Sequence, residues 1–268
     1  MNRVALIGNN IRQSFSPYIH NYYYERLNIN ATYELINLKS KSDLKKIVAK
    51  IKYGDIFAAN ITSPFKQEII KYLDDVDVEA KDIGSVNCIS LINGKKIGQN
   101  TDFFGLIKTI ETFRDYQDVI IFGNGGVVPA VIKSLNYFKQ TKIHIIARKS
   151  IDFKIKNCNY YDIRNFNIQG KDFLIINTLP MSTNLSWVQL LNFINGKIKY
   201  AFDLNYHKND TKFLNSLNGN IIKRNGLNML IFQALKSIDL WFDKNLSGSV
   251  NVEEFEKKLL KIIYGNKL

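Results

Sequence analysis

The chain has 268 residues, which at roughly 150 residues per domain corresponds to about two domains, and 46% are hydrophobic against 23% charged. That balance excludes a disordered chain, a collagen-like repeat and a disulfide scaffold, and a core of this size needs no metal to hold it. Lys and Arg outnumber Asp and Glu 37 to 24, a net charge of +13. The lysines are spread along the whole chain, so compositional drift accounts for the charge as well as a binding face does, and nucleic acid is not expected as a partner. No run approaches the ~18 apolar residues of a membrane span, and the first residues lack the apolar core and cleavage site of a signal peptide. Cys88 and Cys158 stand far apart and fit no zinc spacing, and His20, His144 and His207 are scattered, so no metal is expected. A reducing, cytoplasmic setting follows.

Short apolar runs alternate with amphipathic stretches along the chain. Strands are predicted over 4–7, 33–37, 56–60 and 86–91, with helices near 17–27, 43–53 and 103–113. A polar stretch at 115–118 marks a domain seam. After it come a strand over 119–122, a helix near 126–137, a strand over 142–147 and a strand over 173–177. A helix near 186–194 and a strand over 200–204 follow, then helices near 210–217, 227–243 and 251–263. Strand–helix alternation predicts an α/β fold with mostly parallel sheets. The last two helices follow Gly226 with no strand after them, so they are expected to return to the first domain.

The run Val119–Phe122 leads into Gly123, Asn124, Gly125 and Gly126, and a helix follows. Strand, tight glycine turn and helix make the dinucleotide-binding arrangement, in which backbone approaches a pyrophosphate at a helix N-terminus. The third glycine of the usual pattern is missing, since Val128 stands there. An NAD site usually ends the next strand with an acid that takes the ribose 2′-hydroxyl. Here that strand ends in Ala147, Arg148 and Lys149, two cations and no acid, which suits the 2′-phosphate of NADP.

Four polar motifs precede residue 106 at predicted strand ends. In Ser14-Phe15-Ser16-Pro17, Ser16 is expected to cap a helix with Pro17 at its first position, and the two hydroxyls form a carboxylate cradle. In the run from Asn60 to Lys66, Pro64 fixes a turn that aims Lys66, although a lysine after a strand is by itself ordinarily a surface residue. Gly84–Asn87 is the third motif and Gly98–Gly105 the fourth, where Asn100, Thr101 and Asp102 read as a helix cap and Asp102 equally as a site carboxylate.

Taken in order, these motifs resemble the shikimate dehydrogenase family. Its S-x-S-P-x-x-H-N pattern matches Ser14, Ser16, Pro17, His20 and Asn21, and its N-x-T-x-P-x-K matches Asn60, Thr62, Pro64 and Lys66. G-A-x-N-T appears with Gly84 and Asn87, with Ser85 and Cys88 substituted, and G-x-N-T-D-x-x-G is intact over 98–105. D-x-x-Y-x-P-x-x-T appears as Asp203, Tyr206 and Thr211 with Lys208 in place of proline. G-x-x-M-L-x-x-Q-A is intact as Gly226, Met229, Leu230, Gln233 and Ala234.

The resemblance implies a substrate-binding α/β domain and a Rossmann-like NADP-binding domain with a cleft between them. Their extents would be 1–101, 102–226 and a returning 227–268. It implies reversible reduction of 3-dehydroshikimate to shikimate with NADPH, in chorismate biosynthesis, by a monomer or homodimer. Lys66 and Asp102 would be the acid–base pair. Ser14, Ser16, Asn60, Thr62, Lys66, Asn87, Asp102, Tyr206 and Gln233 would hold substrate. Gly123, Asn124, Gly125, Gly126, Val127, Arg148, Lys149, Leu204 and Gly226 would hold cofactor. The cofactor half departs from the family pattern at Pro129, at Ala147 and Lys149, and at Ser182 and Thr183, which replace a Gly-Met pair. Those departures leave two alternatives: a paralogue acting on quinate or with NAD, and a ligand-binding protein that no longer uses cofactor well.

Overall fold

In the computed structural model, which describes residues 1–40, 42–138, 141–148, 158–206 and 211–265, the chain forms two compact units. The first comprises Met1–Gly105 and Leu230–Leu268, and the second Leu106–Met229.

The first unit contains β1 (Asn2–Gly8), α1 (Ser16–Arg26), β2 (Ala31–Asn37), α2 (Ser42–Lys52), β3 (Ala58–Ile61), β4 (Asp75–Val76), α3 (Val78–Ile83), β5 (Cys88–Ile92) and β6 (Lys95–Gln99). Helix α4 (Thr101–Ile110) leads from it into the second unit. The sheet order is β2-β1-β3-β5-β6-β4. β1 pairs in parallel with β2 and β3, whereas β5 runs antiparallel to both β3 and β6. The turn from β5 into β6 is made at Asn93 and Gly94, both with positive φ (51° and 75°), the conformation of a two-residue hairpin turn. Helix α3 is delimited by Asp77, whose carboxylate accepts from the Ala80 N–H at 2.7 Å, and by Gly84 in the left-handed region.

The second unit contains β7 (Asp118–Phe122), α5 (Val128–Phe138), β8 (Lys142–Ala147), β9 (Cys158–Asp162), β10 (Ile168–Asn177), α6 (Trp187–Leu191), β11 (Ile194–Asp203), α7 (Lys212–Asn215) and β12 (Ile222–Arg224). Its sheet, ordered β12-β11-β10-β7-β8-β9, is parallel throughout. Val119–Phe122 and Phe173–Ile176 are fully buried, as central strands covered on both faces require. Helix α8 (Leu227–Phe242) carries the chain back to the first unit, where α9 (Val252–Tyr264) packs on α1.

The eight predicted strands are all present, and β4, β6, β9 and β12 are added to them. The predicted helix near 186–194 stops at Leu191 because the chain is already extended in β11 from Ile194. Ser16 does not cap α1: the cap position is Phe15, and Ser16 is the first helical residue. The Ser14 hydroxyl takes over part of that role by accepting from the Ser16 N–H at 3.3 Å.

One aromatic cluster ties the returning helix to the first unit. The fully buried ring of His20 stacks on Tyr33 with centroids 3.9 Å apart and lies 5.5 Å from Trp241, and its Nδ1 is 3.4 Å from the Tyr24 hydroxyl. Burial lowers its pKa from 6.5 to about 3. The folded protein therefore keeps His20 neutral while the unfolded chain takes up a proton below 6.5. Stability is complete above that value and is lost as pH falls towards about 3. Urea unfolding is expected to show this contribution falling by about 2 kcal/mol between about pH 7 and pH 5. His20→Phe should flatten that part of the curve, and parallel curves for parent and variant would contradict the assignment.

Candidate active site

Strand direction brings the four polar motifs of the first unit to one sheet edge. β1 and β3 are parallel neighbours, so the loops after Gly8 and after Ile61 leave the sheet at the same end. The two loops are tied there by Thr62 N–H to Ile7 O (2.9 Å) and Asn9 N–H to Ser63 O (3.2 Å). Gly8 has no room for a Cβ, which would run into the methyl groups of Thr62 and Ile11. Because β5 is reversed, its first residue pairs with Asn60 on one side and Gln99 on the other. Asn87 and Asn100–Asp102 therefore stand at this edge as well. Asn100 starts α4 by accepting from the Phe103 N–H at 3.1 Å.

At this edge Lys66 Nζ lies 2.5 Å from Asp102 Oδ2, with the lysine side chain 27% exposed and the carboxylate side chain 12%. A charged donor and acceptor, close together and still reachable from solvent, form a group that can pass a proton to a bound ligand. The Ser63–Pro64 peptide is cis, and Phe65 N–H closes the turn onto Thr62 O at 3.0 Å. Ser14 and Ser16 have their hydroxyls 3.1 Å apart at the start of α1.

Asn60, Asn87 and Gln233 are buried and joined to one another. Asn60 donates to Asn87 O at 3.1 Å, and Asn87 Nδ2 lies 3.5 Å from Gln233 Oε1. Two members of this network escaped the motif reading, Tyr33, which donates to Asn60 Oδ1 at 2.8 Å, and Ser237, while Thr101 was read only as part of a helix cap. Ser237 could have been found from its place one helical turn after Gln233, on the same face of α8.

In the second unit all strands end at one edge, and the strand order reverses between β7 and β10, the usual place for a ligand in such a sheet. Gly123 leaves β7 with φ 112°, and a Cβ there would strike Thr178 Oγ1. Thr178 holds the turn by donating from N–H and hydroxyl to Phe122 O at 2.9 and 2.8 Å. Gly125 and Gly126 have open space where a Cβ would stand. A cleft of about 360 Å³ is lined by Asn124, Ala147, Arg148, Ile163, Leu179, Thr183 and Leu185. Arg148 is exposed at its rim, and Lys149 lies outside the described residues. A glycine turn open to solvent, a cleft beside it and a cation after β8 with no acid fit a dinucleotide bearing a 2′-phosphate.

Val127 sits in the turn before α5, and Leu204 follows β11 in close contact with Gly226, where a Cβ would collide with the Leu204 carbonyl. The adjoining Asp203 is fully buried and accepts from Asn177, Asn205 and Thr211. Burial raises its pKa, and these hydrogen bonds oppose the rise. Tyr206 follows in the second unit, half-buried. Among the described residues no cluster of His, Cys, Asp or Glu could hold a metal ion, and no helix is long and apolar enough to cross a membrane.

Residues 6–89 match the family described as the shikimate dehydrogenase substrate binding domain. Over 96% of its length the chain is 32% identical to the shikimate dehydrogenase (NADP(+)) of Clostridium perfringens, covering 98% of that protein. It is 34% identical to the enzyme of the same name from Methanococcus maripaludis, over 90% of this chain and 91% of that one. The crystal structure of shikimate dehydrogenase 1 from Peptoclostridium difficile superposes with a TM-score of 0.84 at 30% identity, covering 97% and 98% of the two chains. A shikimate dehydrogenase solved in complex with NADP+ gives 0.80 at 25%, covering 98% and 96%.

Proposed function

The chain belongs to the shikimate dehydrogenase family, and on that premise we propose that it catalyses the reversible, NADP-dependent reduction of 3-dehydroshikimate to shikimate, with Lys66 and Asp102 assisting proton transfer. The observation that carries the proposal is the contact of 2.5 Å between Lys66 and Asp102. It supports the reading because an ammonium donor and its carboxylate partner stand at the same sheet edge as the hydroxyls and amides that a polyhydroxylated acid needs.

When bound, NADPH supplies the hydride that adds to the ring ketone carbon. Lys66 donates a proton to the ketone oxygen as negative charge develops there, and accepts it back in the reverse direction. Asp102 holds the lysine in place and accepts from a ring hydroxyl. Ser14 and Ser16 take the substrate carboxylate. Thr62, Asn60, Asn87, Gln233 and Tyr206 complete the substrate set. A site built around hydroxyls discriminates strongly against analogues that lack them, because its buried donors and acceptors would be left unpaired.

Gly123, Asn124, Gly125, Gly126 and Val127 receive the pyrophosphate against the start of α5. Arg148 and Lys149 take the 2′-phosphate, while Leu204 and Gly226 close the cofactor set. The protein works in the cytoplasm, in chorismate biosynthesis, as a monomer or homodimer, without nucleic acid or membrane.

The test is steady-state oxidation of shikimate and of quinate by the purified, folded protein with NADP. Turnover that favours shikimate is expected. Preference for quinate, or no turnover with either acid, would overturn the proposal.

A further inference from the structure

We propose that Ser237 is a positioning residue of the substrate site, orienting Asn60 and, through Thr101, Asn87. The inference rests on the function proposed above. Ser237 lies on α8, is fully buried, and through one hydroxyl bonds three oxygen and nitrogen groups beside the Cys88 thiol. Its partners are Gln233 O at 2.9 Å, Thr101 Oγ1 at 3.1 Å and Asn60 Nδ2 at 3.0 Å.

Proton counting fixes the direction of each bond. A serine hydroxyl has one hydrogen and two lone pairs. Gln233 O and Asn60 Nδ2 are an obligate acceptor and an obligate donor, so Ser237 donates to the first and accepts from the second. The remaining lone pair then accepts from the Thr101 hydroxyl. With its own hydrogen committed, Thr101 Oγ1 can only accept from Asn87 Nδ2, 3.0 Å away. Asn87 Oδ1 is held in turn by the Thr101 N–H at 2.7 Å. Asn60 is held from its other end, where Oδ1 accepts from Tyr33 and a second Nδ2 hydrogen reaches Asn87 O.

Removing the Ser237 hydroxyl therefore does two things. It leaves an Asn60 donor without its acceptor in a buried site. It also frees the Thr101 hydroxyl to turn onto Asn87 Oδ1, 3.3 Å away, which changes the donors and acceptors around that amide. Both amides belong to the proposed substrate set. Neither belongs to the proton-transfer pair.

The experiment compares Ser237→Ala, Thr101→Val and the double variant in steady-state shikimate oxidation with NADP. Each single variant is expected to raise the shikimate KM by about ten-fold, the effect of one misaligned buried hydrogen bond, while kcat stays within about three-fold and the NADP KM is unchanged. The double variant should be no worse than the worse single one, because both cut the same chain. Thr101→Val keeps the test open if Ser237→Ala fails to fold.

Ser134→Ala serves as the control. Ser134 is a fully buried serine of the second unit whose hydroxyl donates to Ala130 O at 2.8 Å. It should not move the shikimate KM. A merely structural Ser237 would lower Tm and the active fraction in its variant with KM unchanged, and that result would overturn the inference. An additive double variant, or an equal KM effect from Ser134→Ala, would also overturn it. If the parent turns over shikimate while these outcomes fail, the inference falls alone. If the folded parent does not turn over shikimate, the proposed function falls and the inference with it.

Discussion

Lys66→Ala is expected to lower kcat for shikimate oxidation by about 10²–10⁴-fold, the usual contribution of a positioned acid–base group. The shikimate KM should change far less. The expectation follows from what the side chain touches. Among the described residues the Lys66 side chain has one close polar contact, to Asp102, and part of it remains open to solvent. Its removal takes away a proton carrier and leaves the carboxylate cradle and the buried amides in place. A lost transition-state group lowers kcat and kcat/KM together, whereas a lost binding contact raises KM at constant kcat. Lys66→Arg sharpens the test, because a guanidinium preserves the charge beside Asp102 but holds its proton at any accessible pH. It should be nearly as slow as the alanine variant. A Lys66→Ala kcat within a few-fold of the parent would show that the proton moves through another group.

Arg148→Ala is expected to raise KM for NADPH by about 10- to 100-fold, the effect of losing charge-assisted hydrogen bonds to a phosphate. KM for NADH should stay close to the parent value, since only NADPH carries the 2′-phosphate. The position supports a specific role over a general attraction of anions. Arg148 follows directly after β8 and lines the same cleft as Asn124 of the glycine turn. The chain carries +13 overall, so a purely long-range contribution from one cation among 37 would be small and would act on both cofactors. Equal effects on NADPH and NADH would refute a 2′-phosphate role.

Much of this arrangement was legible in the residues. Val119–Phe122 followed by Gly123 specifies a buried parallel strand and a turn only glycine tolerates, and φ at that residue is 112°. Asp102 read equally as a cap residue and as a site carboxylate. The structure gives capping to Asn100 and leaves the Asp102 carboxylate to Lys66. The reading of Ser16 as a cap failed because helix caps are fixed by backbone dihedrals, and the helix begins one residue earlier than Pro17 suggests.

What the sequence concealed was strand direction. The motifs at Asn60, Asn87 and Asn100 are consecutive in the chain, yet they share an edge only because β5 runs antiparallel to β3 and the Asn93–Gly94 turn brings β6 back alongside it. The Ile92-Asn93-Gly94-Lys95 run carries that signal, but the short polar strand after it does not stand out as an apolar run. The Ser237 network was concealed for a different reason. A serine in an apolar helix reads as filler until the chain that returns beside it is known.

The most direct measurement of the central claim follows the hydride itself. NADPH carrying deuterium at the transferable C4 position is incubated with 3-dehydroshikimate and the purified protein, and the product is examined by NMR. The account predicts shikimate with deuterium on the carbon that gained the hydroxyl, and its loss in the Lys66→Ala protein to the extent that turnover is lost. Unlabelled product, or no product from folded protein, would contradict it.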